Sequence, residues 1–256
     1  KKLSNIIIQM NNIINDNKKI KQVLINHITS LHNQIKQANK KYDELKINSL
    51  KNNIINNQEL YFDNGRYVGQ VSNGLKEGKG TMYWNDGDRY EGFFKNGKAD
   101  GKGIMYYNNG EKYEGDFKND VKEGKGIFYF NNGEKYEGDF KNGKYEGKGT
   151  MYFNDGNRYE GDFKNGKYEG KGIYYYNNGY RYAGDFKNGK VEGKGIMYYN
   201  NGDIYEGDWR NDKKEGKGIY YFSNGDREIA DCSNGKPIGK AVRLTVDGEV
   251  IVKNYF

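Results

Sequence analysis

The 256-residue sequence has one cysteine, one proline and two histidines. With Cys232 alone, intrachain disulfides and cysteine-rich metal sites are excluded, and a reducing compartment is the default. His27 and His32 stand five residues apart and do not share a helix face, so no metal pair is expected. Hydrophobic residues make up only 34% of the chain, too few for a large closed core. No apolar run approaches the roughly 18–20 residues of a membrane span, and no secretory signal is visible. The chain begins at Lys1 without a methionine, which reads as a portion of something longer. Charge is also scarcer than the net value of +7 suggests. Residues 1–60 hold ten lysines against four acidic residues, whereas the remainder is balanced at 32 basic and 31 acidic. That near-neutrality argues against bulk attraction to nucleic acid or membrane.

What is abundant is glycine, at 37 residues, and tyrosine, at 25. They recur at a fixed period of 23 residues, in copies that begin at Tyr67, Tyr90, Tyr113, Tyr136, Tyr159, Tyr182 and Tyr205 with no insertion or deletion. A fixed period in this range signals a solenoid or array. With the first tyrosine as position 1, residues Tyr136–Phe140 alternate ring or glycine with acid, a strand pattern. Asn142-Gly143 at positions 7 and 8 is the strongest two-residue hairpin signal, because both central residues of such a turn need φ > 0. Gly147–Phe153 forms the return strand, and Asn154-Asp155-Gly156 suits a three-residue loop with glycine in the left-handed position. Each copy is therefore one β-hairpin, and the next continues the meander.

Loop lengths set the register. The two-residue loop pairs position 5 with 10, 3 with 12, 2 with 13 and 1 with 14. The three-residue loop pairs position 18 with 22, hence 16 with the next position 1 and 15 with the next 2. One face then collects Tyr, Gly, Phe, Gly, Gly and further aromatics, with each Tyr opposite a glycine, as Tyr136 opposite Gly149. The other face sets Glu137 opposite Lys148, a ladder of opposite charges flanked by Ile127 and Tyr129 and worth about 0.2–1 kcal/mol per pair.

The Tyr-Glu-Gly-Asp-Phe, Asn-Gly and Glu-Gly-Lys-Gly elements at this period resemble MORN repeats (membrane occupation and recognition nexus). The resemblance covers residues 67–227 strongly and a weakened copy beyond. It implies a mainly β fold, a single-layer twisted antiparallel meander of about eight hairpins. Residues 58–66 are expected to supply a leading strand. Residues 228–256 are read as a degenerate capping copy and a final strand, with Glu228 for Tyr, Ala230 and Ala241 for Gly, and Cys232 for Phe.

Residues 1–57 contain no glycine or proline. Leu3, Ile6, Met10, Ile13, Ile20, Leu24, Ile28, Leu31, Ile35, Ala38, Tyr42 and Leu45 step by three and four, the periodicity of a helix with coiled-coil character. That stripe calls for a partner, either the chain's own sheet or a helix of another chain.

For function, a single-layer sheet of this size, on the order of 75 Å long at about 4.8 Å per strand, leaves one face uncovered. The expected partner-binding face is built from Tyr67, Tyr90, Phe94, Tyr113, Phe117, Tyr136, Phe140, Tyr159, Phe163, Tyr182, Phe186, Tyr205 and Trp209, as an apolar groove for an amphipathic helix. Lys141, Lys144, Lys164, Lys167, Lys187 and Lys190 bracket turns along one edge, where they serve solubility or meet an acidic surface. Gly-Lys-Gly lies within a strand and lacks the strand–loop–helix context of a phosphate loop, and no single acid–base pair stands apart. The sequence thus reads as a non-catalytic scaffold with no catalytic, cofactor-binding or metal residues, binding helical segments of protein partners. The resemblance points to a cytoplasmic, cytoskeletal setting such as a cilium or axoneme with its radial spokes. The competing reading is a peripheral membrane adaptor that binds anionic phospholipid through the lysine edge. Self-association through the helix or the ring-bearing face is a third.

Overall fold

The computed structural model describes residues 2–52 and 54–256, the side chains of 2–5, 8, 12–14, 47–52 and 54 excepted. A 51-residue helix, Lys2–Asn52, precedes one open sheet of 18 antiparallel strands. On the helix, Ile20, Leu24, Ile28, Leu31 and Ile35 are exposed. The side chains of Leu3 and Ile13 lie outside the described residues. The first strand, Ile54–Phe62, begins inside the stretch expected to be helical and ahead of the strand expected over 58–66. The β-branched pair Ile54-Ile55 favours extended backbone where the helix-compatible lysines and leucines run out.

From Gly65 onward every strand pairs antiparallel with the next, down to Val250–Tyr255. The first turn of each copy has φ > 0 at both central residues, as at Asn142 (50°) and Gly143 (77°), the mirror-image turn that matches strand twist. Asn119-Asp120 and Asn211-Asp212 adopt the same turn without glycine. Each aspartate there accepts a backbone N–H from the preceding copy, Asp120 from Ala99 at 2.7 Å and Asp212 from Val191 at 2.8 Å. The second turn closes as expected: Phe153 N–H donates to Asn157 O at 3.0 Å, pairing position 18 with 22.

Register between copies is also the expected one, with Tyr159 opposite Met151 and Glu160 opposite Thr150. Within each hairpin it is not. Phe140 pairs with Tyr145 as position 5 with 10, but Gly138 then pairs with Gly149, Glu137 with Thr150 and Tyr136 with Met151. A bulge inserts two extra residues on the return strand, and Gly147, with φ of 66°, is where the backbone turns through it. Because the slip is by two, the division of residues between faces survives, while the cross-strand partners change. Lys148 consequently faces Asp162 of the next copy rather than Glu137 of its own, at 2.7 Å. Asp139 holds the bulge by accepting the Lys148 N–H at 3.1 Å.

Candidate functional site

The ring-bearing face is built in two tiers. Deepest are the first-position tyrosines, and what places them there is glycine. A Cβ added to Gly149 would sit 2.5 Å from Tyr136 Oη and 2.6 Å from its ring, so the ring lies against bare backbone. Its hydroxyl donates to Asp139 O at 2.9 Å. Each ring from Tyr90 to Tyr159 is then flanked edge-on by two phenylalanines, one from its own copy and one from the next, while Trp209 takes that place beside Tyr182 and Tyr205. Tyr136 meets Phe140 at 5.2 Å and Phe163 at 4.9 Å, with interplanar angles of 87° and 83°. The same zigzag runs from Tyr67–Phe94 through to Tyr205–Trp209.

The expectation that these residues form a free docking surface is therefore corrected. Tyr67, Tyr90, Tyr113, Tyr136, Tyr159, Tyr182 and Tyr205 are at most 1% exposed, and Phe94, Phe117, Phe140, Phe163, Phe186 and Trp209 at most 8%. They are the core of the sheet, covered by one another. Burial pushes the Tyr67 hydroxyl up to about 12 and raises the tyrosines from Tyr90 to Tyr205 as well. What this face offers outward is a second tier of half-buried residues at positions 10, 16 and 18, among them Trp84, Met105, Tyr107, Tyr145, Tyr168 and Tyr176.

On the opposite face lies a feature the sequence reading passed over. Hollows of about 350, 910 and 600 Å³ succeed one another along the array, from Val68 in the first copy to Ile229 in the eighth. The lining recurs along the array: glycines, Lys at position 13 and Ile or Thr at position 15, with position 2 supplying Glu at Glu114, Glu137, Glu160 and Glu206 but Val68, Ala183 and Ile229 in other copies. Ile104 and Ile127 are half-buried there. The walls carry the inter-copy ion pairs Lys102–Asp116, Lys125–Asp139, Lys148–Asp162, Lys171–Asp185 and Lys194–Asp208, at 2.5–2.8 Å. The period itself was the available signal, since identical small and charged residues on one face stack into a channel when hairpins are translated without rotation of register.

Lys141, Lys144, Lys164, Lys167, Lys187 and Lys190 are all exposed. Lys141 pairs directly with Lys144, Lys164 with Lys167 and Lys187 with Lys190 across their turns. Among the described residues no group of His, Cys, Asp and Glu is arranged to hold a metal ion, and no helix is long and apolar enough to cross a membrane.

An open sheet that grows by identical hairpins, each completing its neighbour's core, defines a β-hairpin repeat array. The chain belongs to the MORN-repeat family, whose pattern matches residues 67–89, 90–112, 113–135, 136–158, 159–179, 182–204 and 205–227. Among solved structures, the chain is similar to the TCP10 domain of Danio rerio CPAP in complex with a peptide of STIL, at 14% identity over 77% of this chain and 99% of that one, with a TM-score of 0.44. It is also similar to the SAS-4 (dCPAP) TCP domain of Drosophila melanogaster, in complex with a proline-rich motif of Ana2 (dSTIL), at 15% identity over 61% and 86% of the two chains, with a TM-score of 0.42. No curated protein matches in sequence.

Proposed function

We propose that this protein is a non-catalytic scaffold that receives a helical segment of a partner protein along the trough of its charge-bearing face, within a larger cytoskeletal assembly such as a ciliary axoneme. The observation that carries the reading is the trough, whose glycine, Lys and Ile or Thr lining recurs along the array from the first copy to the seventh. Its isoleucines suit the apolar stripe of an amphipathic helix, and its Glu and Lys walls suit flanking charges of both signs. The exposed stripe of the chain's own helix, from Ile20 to Ile35, adds a place for a partner helix of coiled-coil type. The test is partner recovery from cells with Ile127→Glu and Ile196→Glu combined, beside Tyr107→Ala on the other face. Loss with the isoleucine pair alone is expected, with folding checked by circular dichroism. Undiminished recovery with the isoleucine pair overturns the trough as the site.

The lysine edge supports a second reading, a peripheral contact with anionic phospholipid. Like charges set directly opposite each other destabilise a hairpin, and this edge repeats that arrangement in three consecutive copies. Co-sedimentation with phosphatidylserine vesicles that is salt-sensitive and lost on replacing the six lysines by glutamine would establish it. Vesicle binding that survives those replacements rules the edge out.

A further inference from the structure

Position 10 is where the ring-bearing face varies most: Lys76, Ala99, Lys122, Tyr145, Tyr168, Val191 and Lys214 occupy it in turn. In the fourth and fifth copies a ring there stacks on the first-position tyrosine, Tyr145 on Tyr136 at 3.9 Å and Tyr168 on Tyr159 at 3.8 Å. Tyr145 also meets the edges of Phe140 and Phe163, at 5.4 and 6.2 Å. The residues equivalent to Tyr136, Phe140 and Phe163 in the second copy are Tyr90, Phe94 and Phe117, and the residue among them is Ala99. What remains is a hollow of about 320 Å³, bordered by those three rings and by Trp84, Met105 and Tyr107.

We propose that this hollow is a seat for one aromatic side chain, tyrosine or phenylalanine, carried by an acidic peptide segment of a partner protein. The chain supplies the template for the occupant, since the same three walls hold Tyr145 and Tyr168 two and three copies further on. The charge of the segment follows from the rim. Lys76 and Lys122 border the hollow, and neither forms an ion pair among the described residues. Burial holds both ammonium groups below the usual lysine range, so an approaching carboxylate would find donors already stripped of part of their water. Asp120 also borders the hollow, but its Oδ1 is committed to the Ala99 N–H at 2.7 Å. The seat lies on the face opposite the trough, and its existence does not depend on what the trough binds.

Trp84 lines the seat and reports on it once Trp209→Phe has removed the other indole, giving that copy the ring that the preceding copy has at Phe186. In this background, the full chain is titrated with acetyl-Glu-Tyr-Glu-amide, with acetyl-Glu-Ala-Glu-amide and acetyl-Lys-Tyr-Lys-amide as controls. Saturable change in Trp84 emission is expected with the first peptide, none with the second, and binding weaker by about tenfold with the third, a difference of about 1.4 kcal/mol. Ala99→Tyr fills the seat from within as Tyr145 does, and Ala99→Lys fills it as Lys122 does. Both are expected to fold and to lose binding. No saturable change in the parent, or equal affinity in both filled variants, overturns the proposal. Equal affinity for the lysine-flanked peptide overturns the acidic part of it.

Discussion

The fourth and eighth copies are both β-hairpins, and three of the positions at which they differ are linked. Where the fourth has Tyr136, Gly138 and Gly149, the eighth has Glu228, Ala230 and Ala241. In the fourth copy the tyrosine ring lies so close to both glycines that a Cβ on either would come within 2.6 Å of its hydroxyl. In the eighth there is no ring to accommodate, and Ala230 and Ala241 are simply buried, at 2% and 0% exposure. Glu228 is buried too, and its carboxylate accepts from Lys253 Nζ at 2.8 Å and Tyr255 Oη at 2.6 Å, with Arg243 Nε at 3.7 Å. Three substitutions amount to one change of core. Tyrosine over glycine propagates the array, because each ring from Tyr67 to Tyr182 is met by an aromatic ring from the next hairpin. Glutamate over alanine stops it, because the following strand, Val250–Tyr255, brings an ammonium and a hydroxyl in place of that ring.

The largest expected effect separates the two cores by pH. A tyrosine whose folded pKa lies above the unfolded value contributes stability that is full below about pH 10 and lost as pH rises through the folded value. The buried tyrosines of the array all shift upward, Tyr67 to about 12. Chemical denaturation should therefore give a stability that is level up to about pH 10 and then falls steeply toward pH 12. A shallow slope there would mean the rings are less buried than described. Glu228 shifts the other way: burial opposes its ionisation, but the hydrogen bonds from Lys253 and Tyr255 prevail and hold it below the usual range. Its contribution is present above the unfolded glutamate value near 4.3 and lost as pH falls further.

Next in size is Tyr136→Ala, which should cost about 3–5 kcal/mol by urea denaturation. The open-groove expectation implied the opposite, a folded protein that had merely lost its contacts. Glu228→Gln comes third. It keeps the shape but weakens the bonds to Lys253 and Tyr255, at about 1.5–3 kcal/mol, and should remove the Glu228 share of the acid dependence while raising hydrogen exchange in Val250–Tyr255. Gly149→Ala follows, at about 1–3 kcal/mol from overpacking against the ring. The reverse change in the eighth copy, Ala241→Gly, should cost only about 0.5–1 kcal/mol. Equal costs for the two would break the link between ring and glycine.

Most of the fold was legible because period and loop length are arithmetic. Seven unbroken copies fix a meander, Asn-Gly fixes one turn, and the three-residue loop fixes the register between Tyr159 and Met151. The register inside the hairpin was not legible from loop lengths, because they count residues and a bulge adds two. The glycine at position 12 was the available signal, since Gly147 serves a φ of 66° rather than making room for a ring. The site was harder to read than the fold. That tyrosine sits over glycine was foreseen, but not that the ring thereby sinks to backbone level, where the neighbouring copies' phenylalanines seal it. The candidate surfaces accordingly moved outward to position 10 and across to the other face.

The smallest effect tests the ladder that the corrected register defines. Lys148 reaches Asp162 at 2.7 Å, and the same carboxylate accepts the Lys171 N–H at 3.2 Å, so each aspartate both ties two copies together and holds a bulge. The lysine is 71% exposed, and a pair of that kind is worth about 0.2–1 kcal/mol. In the eighth copy the corresponding pair, Lys217–Asp231, opens to 3.5 Å with the lysine 85% and the aspartate 54% exposed. Lys148→Met should therefore lower stability by a few tenths of a kcal/mol, while Lys217→Met changes nothing measurable. The difference should vanish at about 1 M salt, where the screening length falls to about 3 Å. If it persists there, what lysine gives the repeat is packing of its stem along the trough, and the trough's walls are apolar deeper than their charges suggest.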